Sequence, residues 1–588
     1  MTARKTLSAL SVLAAFCALS VLGLPAYGQK QNPTGNHPEG LVDDWSHHHA
    51  VYPRVGPLQS LLAVQNNPRA IHSWQAAARA EWRRANVSRS PHNTKNGMQI
   101  DWNISLGNGS TAAGMFPAKF NFDPNATANC TTDFIVFPVN IAGSTTQANL
   151  VAFNNLYSGT GNGICNRTPV GGVDTGKSAT TLWSYNIDAA GGAVATSPAL
   201  SLDGTKVAFV ETNSTGPAHF HVLAWKSGDT LSTDLQSTTS PVHINTFSSS
   251  TPAAGSGTAT DLPLGLSGND TLSSPFVEYG LDRAYVGNDT GTLFRIQNVF
   301  CTFSQCTGAG SPAPSLDNGF GTSGAVTTGC GGKLTAPVVD GSTRNVLVAC
   351  SDGKLYGFTP AGVALTNSPL TVGDGTALGG IVDAPIVDGV NGFVYVVSRS
   401  GSASLGPAAT GNPVLVQAKT DLSLPRTATL GVGAAFNLHA PALNNSYLSG
   451  SGTPLLYEVA GGGTTTITLY GISFNGSLQM TTGTPANAST FFIGAFEISP
   501  LTEFFDGTED RVFESALGNF SGNLASFNVT TTFPAAVESS ATEGSGTSAI
   551  VVDNSSTSSQ ADSIYFGVLG AAGTNPNSAV KLTQSALK

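Results

Sequence analysis

The sequence predicts an all-β fold, an eight-bladed β-propeller with a short helical N-terminal extension. Three observations carry this reading. A unit of three short strands recurs along the chain, its starts spaced by 81, 77, 62, 48, 56, 59 and 49 residues from Pro117 to Ala549. Such periods, with several strands each, are those of propeller blades. The composition, with 68 Gly, 11% charged and 8% aromatic residues, is too apolar for a disordered chain and too turn-rich for a helical one. Finally, the eighth copy supplies only three strands, and a strand-like segment ahead of the first copy can complete it.

The clearest copy is Thr335–Phe358, TAPVVDGSTRNVLVACSDGKLYGF. Ala336–Val339 is its first strand, Val346–Val348 its second and Lys354–Phe358 its third. Asp340-Gly341 and Asp352-Gly353 make the turns, since Asp-Gly supplies left-handed backbone positions for tight hairpins. Pro337 has no N–H for a ladder and belongs at a strand's first residues. The Ser/Ala-Pro start returns at Ser197-Pro198, Ser274-Pro275, Ala384-Pro385, Ala440-Pro441 and Ser499-Pro500, with looser copies at Phe116-Pro117 and Ser548-Ala549. Apolar second strands follow, among them Phe134–Val139, Val207–Val210, Phe393–Val397, Leu455–Val459 and Ile564–Val568. The closing strand is expected over Met98–Leu106, where Ile100, Trp102, Ile104 and Leu106 alternate strictly. The propeller then spans 98–588. Seven blades behind an irregular N-terminal region is the alternative.

Residues 1–28 read as a secretory signal peptide: Arg4 and Lys5, an apolar core over Leu7–Leu24, and the small-residue site Ala26-Tyr27-Gly28. Residues 29–97 form an extension with one helix at about 68–85. Asn67 is its N-cap, Pro68 its first residue, and Ile71, Trp74, Ala78 and Trp82 share one face. No later segment has the apolar length of a membrane helix. The mature chain is therefore expected in the periplasm or outside the cell, with no transmembrane segment, as a monomer.

The formal charge of −10 and the absence of a basic stripe leave nucleic-acid binding without an electrostatic footprint. Six cysteines remain after signal removal: Cys130, Cys165, Cys301, Cys306, Cys330 and Cys350. An even number in an exported chain points to disulfides. Local spacing favours Cys130–Cys165, Cys301–Cys306 and Cys330–Cys350.

Three sets of residues are candidate metal ligands. His219 and His221 flank Phe220 in a strand, so both imidazoles share a face; His243 is near in sequence. Asp506, Glu509 and Asp510 concentrate carboxylates that could hold calcium, without the spacing of an EF-hand. His47, His48 and His49 lie beside Asp43 and Asp44, but adjacent residues of an extended chain alternate in direction. Each set has a plainer structural reading. The aspartates Asp203, Asp340, Asp388 and Asp506 each precede Gly between first and second strands or lie in the same connection, and are turn residues first. No nucleophile elbow, P-loop, dinucleotide fingerprint or zinc-protease motif is present, so no catalytic residue is named.

The units at 197–211, 274–296 and 336–358 resemble pyrroloquinoline-quinone-type propeller repeats, which read roughly Ser-Pro-Val-Val-Asp-Gly followed by Val-Tyr-Val-Gly-Ser-Asp-Asp-Gly-Lys-Leu-Tyr-Ala. The resemblance covers about 98–588. It implies either a quinone-dependent dehydrogenase or a cofactor-free scaffold. The dehydrogenases carry a tryptophan in most blades and a quinone-stacking pair of adjacent cysteines. Here no Trp follows Trp225 and no two cysteines are adjacent, so the chain is similar to the non-catalytic branch. The expectation is an exported binding or scaffold propeller with no cofactor, engaging a protein or glycan through the loops of its first three blades, Asn155–Ser178, Thr230–Leu272 and Phe300–Leu334. An oxidoreductase using pyrroloquinoline quinone and calcium is the first alternative. A glycan-binding or adhesion protein is the second.

Overall fold

The computed structural model describes residues 42–43, 50–51 and 98–584, the last with gaps at 121–128, 158–164, 166–177, 214–215, 235–236, 302–310, 377, 434–435, 450–451, 462–465, 486, 494, 506–508, 519–521, 531–532, 536, 544–545, 554–562 and 570–576. The signal peptide, the helix at about 68–85, His47, His48, His49, Cys306 and Asp506 lie outside the described residues.

Eight sheets follow one another along the chain, each a blade built on antiparallel strands in sequence order. To these, Val42–Asp43 adds in blade 5, Ala50–Val51 and Val242–Ile244 add in parallel in blade 1, and Met98–Ser105 adds in blade 8. Blade 1 holds Ala118–Phe120, Phe134–Pro138, Leu150–Asn154 and Thr180–Ile187. Blade 2 is built on Ala199–Leu200, Val207–Glu211 and His219–Ala224, and blade 3 on Phe276–Glu278, Arg283–Val286 and Thr292–Gln297. Blade 4 is Val338–Val339, Val346–Ala349, Lys354–Phe358 and Leu370–Thr371. Blade 5 runs from Ile386–Asp388 to Arg426–Thr429, blade 6 from Ala442–Leu443 to Asn487–Ile493, and blade 7 from Ala495–Ile498 to Val537–Glu543. Blade 8 has Val551–Asp553, Ser563–Gly567 and Ser578–Gln584 from the end of the chain. Its fourth strand is Met98–Ser105, paired antiparallel with Ser578–Gln584. The protein is an eight-bladed β-propeller.

Strict alternation fails in that closing strand. Ile100 is 52% exposed, whereas Trp102, Ile104 and Leu106 are buried. The cause is a bulge: the register shifts between Ile100, which faces Leu582, and Trp102, which faces Lys581, leaving Asp101 as the extra residue. The inserted residue breaks the phase of the strand at Ile100, while Met98 is buried again at the start of the strand.

One turn also departs from expectation. Gly353 does take the left-handed conformation (φ +84°) after Asp352, but Gly341 is not the left-handed residue of the preceding loop. Arg344 is, at φ +62°. The Asp340 carboxylate shapes that longer loop by accepting from the Ser342 N–H at 3.0 Å and from the Ser342 and Thr343 hydroxyls.

Apolar residues fill the seams between blades. At the seam of blades 8 and 1, Trp102 and Ile104 pack with Ile135, Phe137, Phe153 and Tyr565. Trp102 donates its Nε1–H to the Leu156 carbonyl at 3.1 Å, so its one polar atom is satisfied where it is buried. Two disulfides close local loops, Cys130–Cys165 and Cys330–Cys350. Cys301 is also disulfide-bonded.

Candidate functional site

The Ser/Ala-Pro starts have a physical role that explains their recurrence. Ser197 Oγ accepts the Phe116 N–H at 2.8 Å, and Ser274 Oγ accepts the Ser197 N–H at 2.9 Å. Each hydroxyl therefore satisfies a buried backbone donor of the previous blade, and blades 1, 2 and 3 are linked in series. Proline follows where the backbone no longer needs its donor.

These starts also wall a cavity of about 190 Å³. Its lining comes from blades 1 to 7, so it lies on the axis of the ring. Met115, Phe116, Leu272 and Val382 give it an apolar side, and Thr196 and Asn437 line it as well. The charged side is Asp383, His439 and Glu497, from blades 5, 6 and 7. His439 Nδ1 meets Asp383 Oδ2 at 3.1 Å, and Nε2 meets Glu497 Oε1 at 3.3 Å. The Ala440 N–H also donates to Asp383 Oδ2 at 3.2 Å, so Asp383 does for blade 6 what the serines do elsewhere. Burial alone would lower the His439 pKa, but the hydrogen bonds and charges of Asp383 and Glu497 outweigh it and raise the value to about 10. The ring is thus an imidazolium at neutral pH, with both N–H groups donated to carboxylates. Such a group anchors charge well and serves poorly as a general base.

Two more acids stand behind this cluster. Glu458 and Glu514 are fully buried in blades 6 and 7, and burial pushes both carboxyls well above the usual range. One oxygen of Glu458 and both of Glu514 lack a hydrogen-bond donor among the described residues. Kept neutral, they avoid the cost of a buried unpaired charge.

None of the axial charges was among the sequence candidates, yet a signal was present. Two positions before the repeat proline stand Thr196, Ser273, Thr335, Asp383 and His439. Small hydroxyl residues give way to charged ones in blades 5 and 6.

The sequence candidates fall elsewhere. His219 and His221 do share a face, with ring centroids 6.2 Å apart. Three of their four ring nitrogens, however, are engaged by the protein. His219 Nδ1 meets Asp261 at 2.7 Å, while His221 meets the Thr260 carbonyl at 2.8 Å and Glu211 at 3.0 Å. His243 pairs with Asp188 at 3.0 Å. Glu211 also accepts the N–H groups of Ala189, Ala190 and Gly192, which makes this cluster a tie between a loop and a strand. Glu509 pairs with Arg511, and Asp510 accepts the Asn445 N–H at 2.9 Å. The turn aspartates hold turns: Asp203 accepts from Thr205 N–H and Asp388 from Asn391 N–H, both at 3.0 Å.

The axial cavity is where the quinone of the oxidoreductase alternative would be sought. Pyrroloquinoline quinone is a tricarboxylate. The cavity wall presents Asp383 and Glu497 against the single imidazolium, and no Lys or Arg is among its lining residues. Without a cation a trianion would meet like charge there, whereas Asp383, Glu497 and Asn437 offer the oxygen ligands that calcium takes.

No family model and no curated protein matches this chain. Solved structures similar to it are propellers at low identity. BamB from Moraxella catarrhalis is 14% identical, with 69% of this chain and 86% of that one covered at a TM-score of 0.36. The dihydro-heme d1 dehydrogenase NirN is 10% identical, with 78% and 76% covered at 0.40. Sqt1 of Saccharomyces cerevisiae is 10% identical, with 84% and 100% covered at 0.40. The fold stands on the strand pairing of the chain itself.

Residues 230–263 of the blade 2 insertion lie along the outer edges of the blades, and its end returns to the axial cavity at Leu272. Val242–Ile244 adds a parallel strand outside Thr180–Ile187 of blade 1. Thr238 Oγ1 donates to the Ser105 carbonyl of the closing strand at 2.9 Å. Thr251 donates from its N–H to the Ser311 carbonyl at 3.0 Å and from its hydroxyl to the Pro312 carbonyl at 2.6 Å. One segment thus touches blades 8, 1, 2 and 3, and covers an edge that would otherwise offer unpaired backbone groups. Of the other two long insertions, Asn155–Ser178 and Phe300–Leu334, residues 158–164, 166–177 and 302–310 lie outside the described residues.

Proposed function

We propose that this chain is an exported, disulfide-supported propeller of the quinoprotein-like type that acts as a binding scaffold rather than as an enzyme. The observation that carries the reading is the Thr230–Leu272 insertion. It is hydrogen-bonded over four blades, so its outward surface is held in one shape before any partner arrives. Preorganisation of this kind lowers the entropic cost of binding. On that surface Leu231 is 72% exposed and Leu266 fully exposed, two apolar side chains of the kind a protein partner would cover. The locked His439 imidazolium is consistent with a site that holds charge instead of moving protons.

The test is chemical crosslinking of the mature protein in envelope extracts, comparing the unaltered chain with Leu231→Glu and Leu266→Glu together. Both positions are exposed, so the variant keeps its fold. A defined crosslinked partner that disappears in the variant is the expected result, and equal crosslinking by both proteins overturns the assignment of this surface. Calorimetric titration with pyrroloquinoline quinone plus calcium is expected to give no saturable heat. Saturable binding would restore the oxidoreductase reading. Mass analysis of the secreted chain is expected to place its N-terminus near Gln29.

A further inference from the structure

The bulge in the closing strand turns a carboxylate inward. Lys581 faces Trp102 across the ladder and Tyr565 on its other side, so its side chain enters the seam between blades 8 and 1. Asp101, the extra residue, would point away in a regular strand. The bulge re-aims it, and its Oδ2 contacts Lys581 Nζ. Both side chains are sealed from water, at 0% and 1% exposure. Around them lie a second fully buried pair, Lys119 Nζ and Asp553 Oδ2 at 3.1 Å, and two buried tyrosines. Tyr157 Oη lies 2.8 Å from Asp133 Oδ2 and 3.0 Å from Asp553 Oδ2, with one proton to give between them, and its ring centroid is 5.5 Å from Lys581 Nζ. Asp553 acts electrostatically on both Lys581 and Tyr565.

An amine and a carboxyl group held in contact in a dry, aromatic pocket beside another carboxyl group have the components of an amide-forming site. We propose that Lys581 and Asp101 condense into an intramolecular amide that joins the closing strand covalently to the last strand of the chain. In this step the neutral Nζ attacks Cγ of the protonated Asp101 carboxyl. The Nζ–Cγ bond forms, one Cγ–O bond breaks, and the oxygen leaves as water with one proton from the amine and one from the acid. Asp553 relays the proton from nitrogen to the departing oxygen. No oxidant, reductant or further reactant is consumed.

Burial favours the neutral amine that the step requires. It lowers the pKa of the Lys581 amine, against the opposing pull of Asp101. Condensation also replaces two ionisable groups by one amide at a site closed to water. Proximity supplies the rest, since contact in a rigid sheet replaces a bimolecular encounter. The bond would link residues 480 positions apart in sequence and convert ring closure from a hydrogen-bonded strand pair into a covalent one.

The experiment is mass spectrometry of the reduced, denatured mature protein. The expected intact mass is ~18 Da below the sequence value, one water. Because dehydration at an Asp-Gly pair would give the same intact mass, the deciding observation is the tryptic digest. Trypsin does not cut after an acylated lysine, so the expected product is a branched species joining residues 96–119 to residues 512–588. Asp553→Asn, checked for its fold by circular dichroism, is expected to give unbranched peptides. Recovery of linear 582–588 from the unaltered protein overturns the proposal, and a branched product from Asp553→Asn overturns the role given to Asp553.

Discussion

Replacing His439 with Gln removes the only cation from the axial cluster and leaves Asp383 and Glu497 facing each other. The His439 pKa rises from an ordinary 6.5 to about 10 in the folded protein, and its side chain is 7% exposed, so solvent screening is slight. At ~1.36 kcal/mol for a change of one in pKa, proton binding at this site contributes roughly 4–5 kcal/mol of folding free energy. Breaking a buried ion pair is expected to cost roughly 3–5 kcal/mol by a separate line of reasoning. The sign follows from the direction. A group whose pKa is higher folded than unfolded stabilises fully below its unfolded value, here 6.5, and loses that contribution as the pH climbs to about 10. Chemical denaturation of the two proteins at three pH values checks this. The difference in unfolding free energy should be roughly 4–5 kcal/mol at pH 6, about 3 at pH 8 and close to zero at pH 10. Groups that do not interact with residue 439 cancel in the difference. A gap that does not change with pH, or one below about 1 kcal/mol at pH 6, would refute the charge-locked reading of the cavity.

The serine ladder makes a second prediction. Ser197→Ala leaves the Phe116 N–H buried without its acceptor and should cost about 1–3 kcal/mol in equilibrium denaturation; Ser274→Ala should cost a similar amount through the Ser197 N–H. Replacing Cys130 and Cys165 by Ser opens a link between residues 35 apart and should lower stability by roughly 3–4 kcal/mol, read as a melting difference that reducing agent abolishes. Trp102→Ala should cost roughly 3–5 kcal/mol and should speed proteolytic removal of the closing strand, measured by limited digestion.

Much of the ring was legible in the chain itself because its determinants are local. Alternation of apolar residues, prolines at strand starts and Asp-Gly pairs at turns each act over a few residues, and they recur. The unit at Lys354–Phe358 appears as a strand with the same ends in sequence and structure. The pairings Cys130–Cys165 and Cys330–Cys350 were also readable from short separations. Asp383 and His439 were visible as departures at the position two before the repeat proline, but Glu497 stands three before Pro500 and gave no such signal, and only the ring places Asp383, His439 and Glu497 side by side. Their separations of 56 and 58 residues carry no information about angle around an axis.

What the sequence determined by itself, then, is the repeating β unit and its number, since strand period, turn chemistry and spacing are properties of neighbours along the chain. Tertiary structure alone decided the rest. Ile100 is exposed because a bulge one residue later changes the phase of the strand, and a bulge depends on the partner strand at Ser578–Gln584. His219 and His221 are engaged by Asp261, Thr260 and Glu211 because strand pairing brings in acceptors from distant turns. Lys581 meets Asp101 across 480 residues because the strand that closes the ring comes from the start of the propeller and pairs with its last strand, and burial in that seam lowers the Lys581 pKa.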